Sequence, residues 1–428
     1  MRTLLMSASL LALAACSGGG PQTVGGNAVP GGATGTGAAT ALPDQYAEFA
    51  KPTSAHTYTA IGGTQKFTYL TDGRLREGQQ NQLYAGNATT ARDSGISVSY
   101  DPRDGIYTLA VADPKSGAAT NVRFQDPAHR TDFGGAREPQ WGVPNLDVPV
   151  DKNVRFLEIG SGTGVYYPGS NTIPSSGEPG SSTDATTLFF EVPGTTTKYV
   201  GYAGYIRNRI TTGLGNVGGV SVPTQNFDIE RGAFAFGALT SQGAVPKTGS
   251  GRYSGAMLAT MVNNPTLDTT DAPSYFQWIS GTSTVNVDFG TSKVDLAFNG
   301  TVSAPQVDRF TVFPGQTPQV AIAAGSTFAA TGTAAIDLVR NGGFAGTMSE
   351  ATFKNASGET LQRLLPPANV RENTKVEGVI AGSSVNGAFY GPGGTVAETE
   401  IGGGFRIVGG TPDQRIDIVG AFTGAAPK

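Results

Sequence analysis

Val285-Asn286-Val287-Asp288-Phe289-Gly290-Thr291-Ser292-Lys293-Val294-Asp295-Leu296-Ala297-Phe298-Asn299 decides the fold class. Val285, Val287 and Phe289 fall on one face of an extended chain, and Asn286 and Asp288 on the other. Val294, Leu296 and Phe298 repeat the pattern against Asp295 and Asn299. Successive side chains of a strand point to opposite sides, so an alternation of period two marks a half-buried strand. Gly290-Thr291-Ser292 supplies the hairpin turn between the two runs. Residues 252–258, 327–338, 343–353, 375–381, 387–390, 401–408 and 415–422 read as further strands, and 359–365 as one short helical turn. A sheet of this size removes its edges by closing on itself, so residues 246–428 are expected to form a small eight-stranded antiparallel β-barrel.

Upstream, residues 42–245 offer short strands with irregular connections. Ile96-Ser97-Val98-Ser99-Tyr100 and Ile106-Tyr107-Thr108-Leu109-Ala110-Val111 alternate around the turn Asp101-Pro102-Arg103-Asp104-Gly105. Residues 187–192 and 198–205 form another pair around Pro193-Gly194. Two long connections, 126–150 and 160–184, are of the size that tends to be functional. The Gly-rich segment 242–251, with Pro246, marks the boundary to the barrel. Sixty-two glycines in 428 residues, with abundant Thr, Ser and Val, disfavour helix and favour pleated structure. The expected class is mainly β.

Charged residues make up 14% of the chain and the formal net charge is −4, which leaves no basic stripe for nucleic acid. No later segment supplies the apolar run of a membrane helix. The start of the chain is different. Met1-Arg2 is a positive start, residues 4–14 an apolar run, and Ala14-Ala15 the small pair before a peptidase cut, the layout of a secretory signal peptide over residues 1–15. Leu13-Ala14-Ala15-Cys16 resembles the lipobox of bacterial lipoproteins, so Cys16, the sole cysteine, is expected to carry lipid as the first mature residue. With no second cysteine, the chain makes no internal disulfide. Residues 16–41 are expected to be a flexible tether, since 17–41 is Gly-rich and uncharged and would span roughly 25–30 Å. Ser17 after Cys16 resembles the sorting pattern for the outer membrane.

Gly387-Ala388-Phe389-Tyr390-Gly391-Pro392-Gly393-Gly394, followed by Glu400-Ile401-Gly402-Gly403-Gly404-Phe405, is similar to the G-x-F-Y-G-P…E-x-G-G-x-F signature of the transferrin-binding protein B barrel domain. Gly251-Arg252-Tyr253-Ser254-Gly255 and Val285-Asn286-Val287-Asp288-Phe289 resemble that domain's early strands. The match covers roughly residues 250–428. The resemblance implies an irregular β handle domain before an eight-stranded barrel, exported as a surface lipoprotein. It also implies a single-lobe member, because the chain has room for one handle and one barrel. The signature residues Gly387, Phe389, Tyr390, Gly391, Pro392, Glu400, Gly402, Gly403 and Phe405 are expected to be structural. Glycines relieve crowding where strands coil, and the aromatics fill the interior. Ligand contacts in the family lie in variable loops, and none is carried over.

Other chemistry is weaker. Leu157-Glu158-Ile159-Gly160-Ser161-Gly162-Thr163-Gly164 looks like a methyltransferase cofactor loop, but Pro168, Pro174 and Pro179 break the helix that must follow. The two histidines, His56 and His129, show no metal-ligand spacing. No nucleophile elbow of the G-x-S-x-G type is present among the serines. His129, Trp141, Tyr166 and Tyr167, in the two long connections, are candidate ligand-loop residues, because aromatic side chains anchor interfaces. Packing in a small core is the alternative for Trp141.

The expected function is a non-enzymatic lipoprotein, lipid-anchored in the outer membrane at the cell surface. It would bind a host or environmental iron or haem protein and pass its cargo to a TonB-dependent transporter. No cofactor is expected, and haem enters only as a candidate ligand. The alternative is a structural or assembly lipoprotein with no small-molecule ligand. An integral outer-membrane barrel is a third reading, disfavoured because a lipid anchor would be redundant.

Overall fold

A computed structural model of the chain describes residues 46–72, 80–85, 94–112, 119–125, 135, 153–162, 182–194, 196–217, 219–264, 275–304, 322–371, 376–411 and 414–427. The described residues begin with a single helical turn, α1 (Ala47–Ala50), whose Phe49 is buried. Ten strands follow: β1 (His56–Thr59), β2 (Ile61–Asp72), β3 (Gln80–Ala85), β4 (Ile96–Asp101), β5 (Ile106–Ala112), β6 (Ala119–Gln125), β7 (Val154–Gly162), β8 (Ser182–Glu191), β9 (Val200–Val217) and β10 (Val220–Gly237). They form a four-stranded sheet of order β1-β4-β5-β6 and a six-stranded sheet of order β3-β2-β10-β9-β8-β7. The β4–β5 hairpin turns where Asp-Pro-Arg-Asp-Gly places it, with Gly105 in the left-handed region at φ 62°.

The central part of the six-stranded sheet is buried on both faces, and its alternation shows why. Leu188, Phe190, Ala203, Tyr205, Phe234 and Phe236 face the four-stranded sheet, sharing a core with Val98, Tyr100, Tyr107 and Phe124. Phe189, Val200, Tyr202, Ile206, Ala233 and Ala235 face the other way, into a second core. Read along the sequence, such strands are continuous apolar runs, as expected where neither face meets water.

That second core lies against the outer wall of a closed barrel. Its strands are β11 (Ser250–Asn264), β12 (Tyr275–Asp288), β13 (Lys293–Val302), β14 (Thr327–Asp337), β15 (Gly343–Lys354), β16 (Thr360–Leu365), β17 (Glu377–Tyr390), β18 (Glu400–Thr411) and β19 (Gln414–Ala425). The decisive hairpin pairs as its alternation requires, Val285 with Leu296 and Val287 with Val294. The interior is filled by apolar side chains, among them Val285, Phe298, Phe328, Phe344, Phe353, Phe389, Phe405, Ile418 and Phe422. Phe298 stacks on Phe405 at 4.6 Å between ring centroids. On β14 the outward positions are Thr327, Ala329, Thr331, Thr333 and Ala335, all exposed. A lipid-facing barrel carries an apolar band outside; this strand has the opposite polarity.

Two expectations change. The barrel has nine strands rather than eight. The ninth is β16, which covers most of the segment read as a helical turn. Leu361, Leu364 and Leu365 match helical spacing, but six residues are too few for a stable isolated helix, and pairing to β15 decides the conformation. From Glu377 on, the segments 375–381 and 387–390, read as separate strands, are one strand, β17, continuous through a register shift between Ile380 and Gly382. Upstream of the barrel the described strands form two stacked antiparallel sheets, and the long connections 126–150 and 160–184 lie largely outside the described residues.

Candidate functional site

The signature residues come together, and they meet the six-stranded sheet. Glu400, at the start of β18, is buried and accepts hydrogen bonds from the backbone N–H of Lys198 at 2.8 Å and of Tyr199 at 2.8 Å. Burial pushes its carboxyl above the ordinary glutamate range, against the pull of the Lys198, Tyr199 and Val200 N–H groups. The next outward positions on β18 are glycines. A side chain on Gly402 would meet Val200 Cγ2 at 2.7 Å, and one on Gly404 would meet the Gly62 backbone at 2.7 Å. Gly403 and Gly387 instead serve the barrel's inside: a side chain on Gly403 would strike the Asn386 carbonyl, and one on Gly387 would strike the Phe344 ring.

The turn after β17 completes this joint. Gly391 adopts φ 91°, and Tyr199 packs against it. Tyr390 is fully buried and forms a β-bridge with Leu239, just past the end of β10. The Thr240 N–H donates to the Phe389 carbonyl at 2.9 Å, and the Gly391 N–H to the Ala238 carbonyl at 2.9 Å. Pro392 follows within the turn, half-buried and with no N–H to satisfy. Phe389 and Phe405 point into the barrel core. Tyr390, Gly391, Pro392, Glu400 and Gly402 therefore form the joint between sheet and barrel, while Gly387, Phe389, Gly403 and Phe405 serve the barrel interior. Gly62 and Gly404, where the two backbones touch, were not singled out, because a glycine's use for close approach is visible only once its opposite backbone is known.

Farther along the same interface the contacts turn polar. Arg231 is buried, donates to Asn208 Oδ1 at 3.0 Å and lies over the Phe276 ring at 5.4 Å. The Gln65 amide donates to the Asp417 carbonyl at 2.9 Å, and Arg406 is 3.6 Å from the Asp417 carboxylate. On the sheet's opposite face, Asp184 sits between Arg207 at 2.6 Å and Arg209 at 3.4 Å. Burial raises its carboxyl, but the hydrogen bonds and charges of the two arginines outweigh that and hold it below the usual aspartate range.

One cluster superficially resembles a catalytic triad. Ser54 Oγ is 3.0 Å from His56 Nε2, and Glu48 Oε2 is 3.6 Å from the same nitrogen. A charge-orienting carboxylate must sit on the opposite ring nitrogen from the nucleophile, and here both compete for one. Glu48 instead accepts the Thr53 N–H at 2.6 Å and ties the turn that follows α1. Among the described residues, no group of three or more His, Cys, Asp or Glu side chains could hold a metal ion. An open cavity of about 300 Å³ on the barrel wall, lined by Arg252, Asn286, Asp288, Lys293 and Asp295, has its Lys293 paired to Asp295 at 3.0 Å. Cys16, His129, Trp141, Tyr166 and Tyr167 lie outside the described residues. The methyltransferase-like stretch is β7 as far as Gly162, paired to β8 along its length.

Strand directions give the molecule two poles. Glu400, Gly391 and the start of β9 lie at one, and Tyr46 stacks edge-on to Tyr199 there, at 5.9 Å. From Gly62, beside Gly404, β2 runs to Gln65, beside Asp417, and so toward the turn between β18 and β19. The β9–β10 hairpin continues in that direction past its neighbours: the last rung to β8 is Thr211, and the last to β2 is Thr224. Its tip exposes Leu214 at 63% and Val220 at 54%. No charged residue occurs between Arg209 and Asp228.

No known family profile matches the chain, and no curated protein matches it. Among solved structures, it is similar to a double mutant of transferrin binding protein B from Haemophilus parasuis, with 13% identity, 87% of this chain and 76% of that one covered, and a TM-score of 0.26. Isotype 1 transferrin binding protein B from serogroup B Neisseria meningitidis gives 13% identity, 88% and 77% coverage, and a TM-score of 0.25. A protein described as a surface lipoprotein gives 14% identity, 51% and 76% coverage, and a TM-score of 0.21. At such scores the overlays carry no argument, and the fold rests on the strand order and registers above.

Replacing Glu400 by Ala leaves the Lys198 and Tyr199 N–H groups buried without their acceptor. It should cost about 2 kcal/mol of stability in urea unfolding, with Glu400→Gln recovering part through its one remaining carbonyl. Asp184 titrates lower in the folded than in the unfolded chain, so its contribution is complete above the ordinary aspartate value of 3.8 and is lost as pH falls through the lower folded value. Asp184→Asn should therefore lie about 1 kcal/mol below the parent above pH ~5, a figure limited by solvent screening, and converge with it as pH falls below the lowered folded-state value.

Proposed function

We propose that the protein is a non-enzymatic binding lipoprotein, held to the outer membrane through lipid on Cys16, that captures its cargo at the pole carrying the β9–β10 tip. The observation that carries the reading is the polarity of the body. The chain enters the described residues at Tyr46, against the joint, and the long hairpin projects from the opposite pole. A body tethered at the first pole presents the second outward. A tether over residues 16–41 spans roughly 25–30 Å, enough to keep the body clear of headgroups. The strand ends Asn264, Tyr275, Thr411 and Gln414 belong to the same outward pole, so capture would use barrel ends together with the hairpin.

The cargo class rests on the resemblance of the Gly387–Phe405 signature to transferrin-binding protein B and its single-lobe relatives. It is a host or environmental iron or haem protein, delivered to a TonB-dependent transporter. The sheets of β1 to β10 would act as the handle, and no chemical step on the cargo is invoked.

Cys16→Ser should move the protein from the membrane to the soluble fraction and abolish incorporation of labelled palmitate; a variant that stays membrane-bound and labelled removes the anchor. Titrating haem, and separately haemoglobin, into the full chain should give a saturable Soret change or retention. Leu214→Asp with Val220→Asp should weaken that binding at least tenfold without lowering the unfolding midpoint. Flat spectra and no retention by the parent protein would remove the haem cargo.

A further inference from the structure

The barrel wall is not uniform. Over most of its circumference each strand pairs with its sequence neighbours along ten or so rungs, as β13 does with β12. Near β16 the wall forks. β15 pairs directly with β17 at Phe344, Ala345 and Gly346, and beyond that the two strands diverge. At the fork the Ser383 hydroxyl stands in for a missing rung, accepting the Met348 N–H at 3.1 Å and donating to the Met348 carbonyl at 3.2 Å. β16 fills the gap farther along. It meets β15 through four residue pairs, interrupted by a register shift between Phe353 and Lys354, and meets β17 through three, in the parallel sense. Parallel pairing is the less stable kind, and this is the one parallel contact in the described barrel.

Besides the buried Leu365 and the buried Gln362, whose amide donates to the Val376 carbonyl at 3.2 Å, two features hold β16 in place. Leu364 is fully buried and seated against Gly378 and Gly409, where an added side chain would lie 3.0 Å from its methyl groups. On the outside, Arg363 Nε donates to Glu350 at 2.8 Å, with Glu377 at 3.9 Å. Both holds sit on adjacent residues of one six-residue strand. The fork itself is closed by Ser383 and the direct β15–β17 rungs, so it does not depend on β16.

We propose that β16 is a removable stave: it leaves the barrel as a unit, by local opening, while the other eight strands stay closed around it. Departure of Leu364 uncovers the Gly378–Gly409 seat and opens a slot in the wall between β15 and β17. It also frees the edge of β15 at Ala351 to Lys354, a ready strand edge. Segments that open locally in this way are held by short ladders, and ladders of four and three pairs are what distinguish β16 from its neighbours. The inference is independent of the cargo proposed above.

Hydrogen–deuterium exchange on the full chain tests it. Peptides spanning 360–366 should exchange at least tenfold faster than those of β13 and β18, and Arg363→Ala should accelerate them further while leaving β13 and β18 unchanged. A disulfide engineered across the paired positions, Thr352→Cys with Arg363→Cys, in a background of Cys16→Ser, should bring β16 to the rate of its neighbours when oxidised and release it when reduced. Equal rates for β16, β13 and β18 in the parent would overturn the proposal, because the stave would then open only with the whole barrel. A locked protein whose 360–366 peptides still exchange fast would overturn it as well.

Discussion

The backbone of β18 at Gly404 lies against the backbone of β2 at Gly62, with no room for a side chain on either. Much of the molecule follows from that contact. Two sheets can approach so closely only where the strand facing the contact, here β18 at Gly404, gives up its side chain, and the residues on either side must then be chosen to fit. Val200 and Ala235 fill the space over Gly402, Trp278 packs edge-on to Phe189 at 5.2 Å, and the Glu400 carboxylate takes the backbone N–H groups at the start of β9. Each of these would be a liability in an isolated barrel: an exposed tryptophan, a run of glycines, a carboxylate without its donors. Together they make the outer wall of the barrel into one half of a core.

The barrel interior and the interface divide the labour. Inside, aromatic and β-branched side chains pack at the density of any protein core, and stability there is a matter of volume. At the interface the polar groups Glu400, Arg231, Asn208, Gln65 and Asp417 are placed at fixed positions among apolar contacts. Buried polar groups add little net stability, but they penalise every docking in which they lose their partners. An interface of apolar side chains alone could slide along the barrel; one that must bring Glu400 to Lys198 and Gln65 to Asp417 has a single register.

What the sequence revealed follows the same division. The hairpin from Val285 to Phe298 was legible because one face meets water and the other the core, which writes a period of two into the chain. The strands of the six-stranded sheet were seen only in part: 198–205 was read as a strand, whereas β9 runs from Val200 to Val217. Its first half is apolar on both faces, and its second half is the uncharged tip, so neither half alternates. β16 was misread because Leu361, Leu364 and Leu365 suit a helical turn as well as a short strand, and only pairing to β15 separates the two. Phe389 and Phe405 fill the barrel interior as their pattern suggests, but the contact of Glu400 with the start of β9 was not legible, since an interface is a property of two segments roughly two hundred residues apart.

If the joint is what makes one body of sheet and barrel, the two cannot unfold separately. Equilibrium urea unfolding of the full chain, followed in parallel by far-ultraviolet circular dichroism and by tryptophan fluorescence, which includes Trp278 at the joint, measures this directly. The account predicts coincident transitions with a single midpoint. Two resolved transitions, with barrel structure persisting after the Trp278 signal is lost, would contradict it.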